Sequence, residues 1–170
     1  PDGTLSFTPS LNFNGTAAIS YTVTDGQGAT AVGTAFVAVT PVNDLPVAVD
    51  DGNLETPFIT MDEDSVSGPI SVLANDTDVD MDTLTVTAAS SPDGVVTVSV
   101  GASLSFTPTP DFNGATTISY TISDGQGGSS SAIAYVFVTP VNDAPVAIAT
   151  AATVNEDGSV NITLTGSDVD

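Results

Sequence analysis

A repeat with a period of 99 residues constrains the fold of this chain more than any other feature. Residues 19–28 have the sequence ISYTVTDGQG, and residues 118–127 have the sequence ISYTISDGQG. Blocks at residues 13–15 and 41–44 return at the same offset, without gaps. Because about 100 residues suit one small domain, the period predicts one domain per repeat.

The repeat divides the 170 residues into three units. We expect the back part of a first unit at residues 1–43, a complete unit at 44–142 and the front part of a third unit at 143–170. The third unit matches more loosely and with a deletion, and Gly166 stands where the complete unit has Asp76.

The local patterns predict strands throughout. Ile19, Tyr21 and Val23 alternate with hydroxyl residues, as in a half-buried strand. The Asp-Gly pairs at 25–26 and 124–125 favour hairpins, and further strands are expected at 35–39, 84–86, 95–100 and 134–138. Short strands at this spacing, with no helical period, predict an all-β fold of tandem immunoglobulin-like or cadherin-like β-sandwiches.

Charge excludes several classes of function. The chain has no Lys, Arg or His and 21 acidic residues, which gives a net charge of −21. Nucleic-acid binding, an ordinary zinc site and a Ser-His or Cys-His nucleophile are therefore not expected. No apolar run approaches the roughly 18 residues of a membrane span. Two carboxylates suffice for a glycosidase, so catalysis remains an alternative, although we do not expect an enzyme.

The acidic residues form runs that favour a metal. Asp76, Asp78, Asp80 and Asp82 alternate along one short segment with no basic partner. Ca²⁺ accepts six to eight oxygen ligands in flexible geometry, which makes it the first candidate. The run is not an EF-hand, since Met81 and Thr87 stand at the Gly and Glu positions. The alternative is that Asp-rich loops, such as the Asp-Gly pairs, are solvated turns.

Several blocks in fixed order carry a resemblance to a known family. They are the linker at 141–146, the Glu-Asp step at 63–64, the segment 72–84, the Phe-Thr-Pro block at 106–108, Phe-Asn-Gly at 112–114 and the strand at 120–125. The unit resembles the bacterial cadherin-like tandem repeats of large surface adhesins, the tandem-95 or RTX-adhesin type of immunoglobulin-like repeat. The resemblance implies an extracellular, Ca²⁺-binding sandwich used as a spacer on the bacterial cell surface.

In a sandwich of this type, two loops lie beside the preceding linker and two beside the following one. At the first junction we expect metal ligands at Asn43, Asp44, Asp76, Asp78, Asp80, Asp82 and Asp124, with Asn12 approaching from the first unit. At the second junction we expect Glu63, Asp111, Asn142, Asp143, Asp168 and Asp170. Each set offers enough oxygens for a Ca²⁺ ion.

The expected function is that of a structural Ca²⁺-binding repeat in a surface adhesin or extracellular filament. Its partners are then neighbouring repeats of the same or an identical chain. One alternative is a filament subunit joined head to tail, in which the third unit of one chain donates strands to the first unit of the next. Another alternative is an adhesion module that binds a carbohydrate or a protein.

Overall fold

The computed structural model describes residues 3–99 and 103–169, and this part of the chain contains ten strands and no helix. The prediction of an all-β fold is confirmed. No helix long and apolar enough to cross a membrane occurs in the described ranges. The strands are β1 (Gly15–Thr24), β2 (Thr30–Val39), β3 (Ile59–Asp62), β4 (Thr85–Ser90), β5 (Gly94–Val98), β6 (Leu104–Pro108), β7 (Gly114–Ser123), β8 (Ser129–Thr139), β9 (Val146–Ile148) and β10 (Thr165–Ser167).

The complete unit is built from two sheets. The larger sheet has the order β3-β8-β7-β4, in which β7 and β8 form the hairpin predicted around Asp124 and Gly125. β4 runs antiparallel to β7, whereas β3 runs parallel to β8. The smaller sheet pairs β5 with β6, and an isolated bridge adds Ile70 beside Leu104. The two sheets face each other as the predicted sandwich.

Side chains from both sheets form one core. Leu104, Phe106 and Val72 come from the smaller sheet and its neighbouring segment, and all three are fully buried. Alternate residues of β7 and β8 meet them from the larger sheet. These residues are Ile118, Tyr120, Ile122, Ala132, Ala134, Val136 and Val138. The period-2 pattern in the sequence therefore marks the buried face.

The first unit repeats the hairpin of the complete unit. β1 pairs with β2 from Gly15↔Val39 to Thr24↔Thr30, in the register that β7 and β8 use 99 residues later. Gly15 and Gly114 open these hairpins with φ of 113° and 117°, a backbone conformation that favours glycine. Among the described residues, no third strand joins the β1–β2 sheet.

The complete unit contains a six-residue segment that has no counterpart in the third unit. Asp51 bridges Ala134 and Ile59 pairs with Val136, so the chain between them leaves the edge of β8. We call residues 52–57 the excursion; a bridge between Gly52 and Pro57 closes it. In the third unit the offset of matching residues falls from 99 at Val146 to 93 at Glu156, a loss of six residues at this place, and then to 90 at Asp168.

The third unit retains one pairing of the complete unit. β9 pairs antiparallel with β10, and Val146 lies opposite Ser167. The corresponding residues of the complete unit, Val47 and Thr77, form an isolated antiparallel bridge. The antiparallel pairing at the start of the complete unit therefore recurs at the start of the third unit.

Candidate metal centre

A cluster of three carboxylates lies in the loop between Thr77 and β4. Oxygen atoms of Asp78, Asp80 and Asp82 all lie within 4.8 Å of one another. Asp78 Oδ1 accepts hydrogen bonds from the backbone N–H groups of Asp80, at 2.8 Å, and Asp82, at 3.3 Å. Asp78 Oδ2 is buried and accepts no hydrogen bond. The loop therefore folds around one carboxylate and leaves one oxygen of that carboxylate buried without a hydrogen bond.

The preceding linker is held against this loop. The backbone N–H of Asp44 donates a hydrogen bond to Asp80 Oδ2 at 2.7 Å. The amide of Asn43 donates to Asp124 Oδ2 at 2.8 Å and to the carbonyl of Asp44 at 3.1 Å. Both linker residues thus contact acids of the complete unit that the sequence analysis assigned to this junction.

Asp124 is a buried acid in the turn between β7 and β8. It is 4% exposed, and its Oδ1 accepts the backbone N–H groups of Gln126, Gly127 and Gly128 at 2.8, 3.1 and 2.9 Å. The amide of Asn43, followed by these N–H groups, holds the pKa of the carboxyl below its ordinary value of 3.8. A side chain at position 128 would collide with Asp124 Oδ2, so glycine is required there. Asp124 therefore stays ionised and anchors the linker.

A cavity of about 220 Å³ opens between the first unit and the linker. Asn12, Phe13 and Asn14 line it from the first unit, and Asp44 and Asp80 line it from the other side. The structure therefore brings Asn12 to the first junction, where an amide oxygen can add to the carboxylates.

Asp76 lies apart from the three-carboxylate cluster, although the sequence analysis grouped them. Its Oδ1 accepts the backbone N–H of Val49 at 2.8 Å, and burial raises its pKa above the ordinary 3.8. The cause is the bridge between Val47 and Thr77, which fixes the backbone just before the loop turns. Asp76 faces the segment beside that bridge, whereas Asp78 begins the loop.

A second cluster lies at the other end of the complete unit. Oxygen atoms of Asp64, Asp111 and Asp143 lie within 4.8 Å of one another. The backbone N–H of Asp111 donates to Asp64 Oδ1 at 3.3 Å, and the amide of Asn142 donates to the Asp143 carbonyl at 2.7 Å. Asp64 was not predicted as a ligand. Its signal was the Glu-Asp step, which recurs at Glu156 and Asp157, and both aspartates have positive φ, of 55° and 58°.

Glu63 is not part of the second cluster, because both of its carboxylate oxygens accept hydrogen bonds from the protein. It is 3% exposed, its Oε1 accepts the backbone N–H of Val141 at 2.7 Å and its Oε2 accepts the Asn113 amide at 3.2 Å. Glu63 therefore fixes the following linker to the unit beside the second cluster. Asp168 is exposed and lies outside both clusters of the described residues, and Asp170 is outside those residues.

Both clusters fit a hard cation. Each offers three carboxylates, together with nearby amide and carbonyl oxygens, and Asp78 contributes a buried oxygen with no hydrogen-bond donor. Oxygen ligands of this type suit Ca²⁺ or Mg²⁺ rather than zinc or copper. The chain has no Lys, Arg or His to neutralise them.

Comparison with known families and structures gives two family matches. The model for the bacterial Ig domain matches residues 43–137, and a model for a cadherin-like domain matches residues 1–40. These agree with the resemblance found in the sequence. No curated protein matches the sequence.

Two solved structures of an endo-fucoidan hydrolase from glycoside hydrolase family 107, one of them a variant, are similar in part. The variant has 22% identity over 82% of this chain and 22% of that chain, with a TM-score of 0.42. The other has 20% identity over 78% of this chain and 20% of that chain, with a TM-score of 0.39. The chain spans about a fifth of the length of these hydrolases.

Proposed function

The chain belongs to the bacterial Ig domain family, and on that basis we propose that it is a structural module of a bacterial surface adhesin or extracellular filament. Ca²⁺ ions at its junctions hold successive units in a fixed relative orientation. The units act as spacers, and their partners are neighbouring units of the same array. Such a role needs no catalytic group.

One observation carries this proposal: the aspartate of each linker contacts acids of an adjoining unit. At the first junction, the N–H of Asp44 donates to Asp80 Oδ2 at 2.7 Å. At the second, the carboxylate of Asp143 lies within 4.8 Å of Asp64 and Asp111. Asp44 and Asp143 are equivalent positions of the repeat. A linker aspartate of this type therefore lies beside the acidic loop of the unit that follows it at the first junction, and beside acids of the unit that precedes it at the second.

Charge is the second support. Three carboxylates within 4.8 Å of one another repel unless a cation lies among them. No side chain of this protein can supply that charge. Ca²⁺ fits better than Mg²⁺, because irregular loops offer flexible coordination by many oxygens whereas Mg²⁺ requires a near-ideal octahedron and keeps several waters.

The proposed location follows from the same chemistry. Extracellular Ca²⁺ modules bind their ions with dissociation constants of about 10⁻⁴–10⁻³ M, which the cell exterior can saturate. Removal of the ions leaves clustered aspartates that repel one another at each linker. The string of units then loosens, so Ca²⁺ sets the stiffness of the module.

Thermal unfolding in Ca²⁺ and in EDTA tests the proposal. A ligand that binds only the folded state stabilises it by about 2.7 kcal/mol at a concentration 100 times its Kd, so the melting temperature should rise with Ca²⁺. Small-angle scattering should report a longer, straighter particle in Ca²⁺ than in EDTA. Identical melting and scattering curves in EDTA and in millimolar Ca²⁺ contradict the proposal.

A matched pair of variants assigns the effect to the first junction. Asp80→Asn removes one carboxylate of the cluster and should reduce the Ca²⁺-dependent gain in melting temperature. Asp25→Asn removes the same charge from the exposed hairpin turn of the first unit, and it should leave that gain unchanged. Mg²⁺ in place of Ca²⁺ should give the smaller shift in the unmodified protein.

We also propose, as a second candidate, head-to-tail assembly by strand complementation. The first unit leaves the core face of its hairpin open, with Tyr21 and Val23 at 39% and 53% exposed. The third unit exposes Val154, Ile162 and Leu164, which belong to segments that match β3 and residues 70–74 of the complete unit. Docking the third unit of one copy onto the first unit of the next would cover both apolar sets, and a head-to-tail contact of this kind extends into filaments.

The mass of the 170-residue chain in solution tests this candidate. Sedimentation should show species that grow in steps with concentration. Ile162→Asp should abolish the growth, because Ile162 matches the fully buried Val72 and a charge then enters the covered face. Asn161→Asp adds the same charge one residue away, at the counterpart of the exposed Ser71. A chain that remains at 16.9 kDa at all concentrations excludes assembly of this kind.

A further inference from the structure

Two aspartates of the complete unit belong to neither cluster and each have one buried carboxylate oxygen that accepts no hydrogen bond. Asp51 is the first of them: it is 4% exposed, and its Oδ2 accepts no hydrogen bond. Its backbone is fixed to β8, because its N–H donates to Ile133 at 2.8 Å and its carbonyl accepts from Tyr135 at 3.0 Å. Strand pairing therefore sets the position of Asp51, and its carboxylate is carried into the interior.

Asp76 is the second. Its Oδ1 accepts the N–H of Val49 at 2.8 Å and lies 3.5 Å from the Tyr120 hydroxyl, while its Oδ2 is buried and accepts no hydrogen bond. The Tyr120 hydroxyl also donates towards the carbonyls of Val49, at 3.0 Å, and Val72, at 3.3 Å. Because a hydroxyl has one hydrogen, a Tyr120 that donates to these carbonyls leaves an oxygen lone pair available to a ligand.

No cationic side chain of the protein can partner this pair. Burial raises the pKa of Asp51 to about 6, and the charge of Asp76 adds to the rise, so the two carboxyl groups lie close enough to interact. The Oδ2 atoms of both residues are buried and accept no hydrogen bond, and the chain has no Lys, Arg or His. Since buried polar oxygens without a partner are unfavourable, a cation from outside the protein would stabilise them.

The third unit lacks this pair while keeping other acids. The residues that match Asp50 and Asp51 are Ala149 and Thr150, and Gly166 matches Asp76. The linker residues Asn142 and Asp143 and the loop residue Asp168 are retained. Asp51 and Asp76 thus disappear together and separately from the junction residues, as expected of two ligands that serve one site.

We propose that Asp51 Oδ2, Asp76 Oδ2 and the hydroxyl oxygen of Tyr120 bind a hard cation of the Ca²⁺ class inside the complete unit. Water completes the coordination, as is usual for such ions. The ion neutralises the buried pair and ties the segment after the linker to the residues before the acidic loop. The site shares no ligand with the clusters at the junctions and does not depend on the proposed function.

Tyrosine-sensitised Tb³⁺ luminescence tests the site directly. Tb³⁺ replaces Ca²⁺ at oxygen sites and emits strongly only when an excited aromatic ring lies close to it. The chain has three tyrosines and no tryptophan, and the Tyr120 hydroxyl lies 3.5 Å from Asp76 Oδ1. We expect saturable emission that excess Ca²⁺ suppresses and that Tyr120→Phe removes.

Substitutions then identify the ligands. Asp51→Asn and Asp76→Asn should each weaken Tb³⁺ binding at the sensitised site at least tenfold, while Asp25→Asn, an exposed control with the same change of charge, should not. Asp80→Asn should lower the number of bound ions but keep the emission that depends on Tyr120. This last variant separates the inner site from the first junction.

Several outcomes overturn the proposal. Emission that survives Tyr120→Phe belongs to another tyrosine. An Asp51→Asn protein that binds Tb³⁺ as the unmodified protein does removes Asp51 from the site. If Asp51→Asn fails to fold, Tb³⁺ emission from the unmodified protein still tests the proposal. A carboxyl pair that shares a proton binds no cation, so the absence of Tyr120-dependent emission would overturn the site.

Discussion

The complete unit and the first unit carry nearly the same hairpin but bury it to very different extents. Leu104 and Phe106 are 1% and 0% exposed, whereas their counterparts Leu5 and Phe7 are 62% and 39% exposed. The hairpin registers are identical. The difference arises because β3 and β4 flank only the second hairpin, and because β5, β6 and the segment at Ile70 cover its face. The hairpin thus forms from local sequence, and the core needs both sheets.

The largest expected contrast is between Phe106→Ala and Phe7→Ala. Removal of a fully buried phenylalanine should lower the free energy of unfolding by about 3–5 kcal/mol, because it leaves a cavity and removes apolar burial. The same change at the half-exposed Phe7 should cost about 1 kcal/mol or less. Urea denaturation followed by far-UV circular dichroism measures both.

Equal losses from the two substitutions would break this comparison. They would mean that the core face of the first unit is covered in solution, as strand complementation requires. Repeating the Phe7→Ala measurement at several protein concentrations separates the two cases, since stabilisation by another copy depends on concentration.

A smaller contrast concerns the acids of the two hairpin turns. The pKa of Asp124 is below its unfolded value of 3.8, so its carboxylate contributes stability above that pH and loses it as the pH falls through the folded pKa. Asp124→Asn should therefore lower stability at pH 7 and flatten its decline towards pH 3. Urea midpoints across this range, measured in EDTA, test the expectation.

Asp25→Asn is the matched control for this measurement. Asp25 accepts the N–H groups of Gln27 and Ala29 at 2.8 and 3.1 Å, but it lies in an exposed turn. Its substitution should lower stability at pH 7 less than that of Asp124. If both substitutions change stability equally, the hydrogen bond from Asn43 is not the cause of the Asp124 effect.

The smallest expected effect is that of the excursion. Deletion of residues 52–57 from the complete unit should change stability by about 1 kcal/mol or less, because surface loops of different length differ little in closure entropy. Melting temperature measures this. Insertion of the same six residues between Thr150 and Ala151 is the reciprocal test, and unfolding caused by the deletion would show that the excursion carries packing.

Much of the fold could be predicted from the sequence because its signals are local. Alternation at Ile19, Tyr21 and Val23 and the Asp-Gly turns located β1, β2, β7 and β8. The parallel pairing of β3 with β8 could not be read in the same way, since Ile59 and Val136 are far apart in the chain and no turn joins them. The excursion obscured the strand further.

The sequence patterns predicted acids near both junctions. They did not distinguish the acids that form the clusters from the acids that hydrogen-bond to other parts of the unit. Asp76 and Asp78 look alike in the sequence, yet only Asp76 turns towards Val49 and Tyr120, which are distant in the chain. Asp64, rather than Glu63, joins the second cluster, and its backbone has a positive φ of 55°. Sequence spacing carries neither kind of information.

The parallel pairing of β3 with β8 determines how the complete unit carries mechanical load. β3 follows the entry linker and β8 leads into the exit linker, so a pull on the two linkers draws these strands along their length in opposite directions. The four residue pairs from Ile59↔Val136 to Asp62↔Thr139 are then loaded in shear and must yield together. An antiparallel hairpin pulled at its open end unzips one pair at a time, whereas this arrangement is a clamp that resists traction.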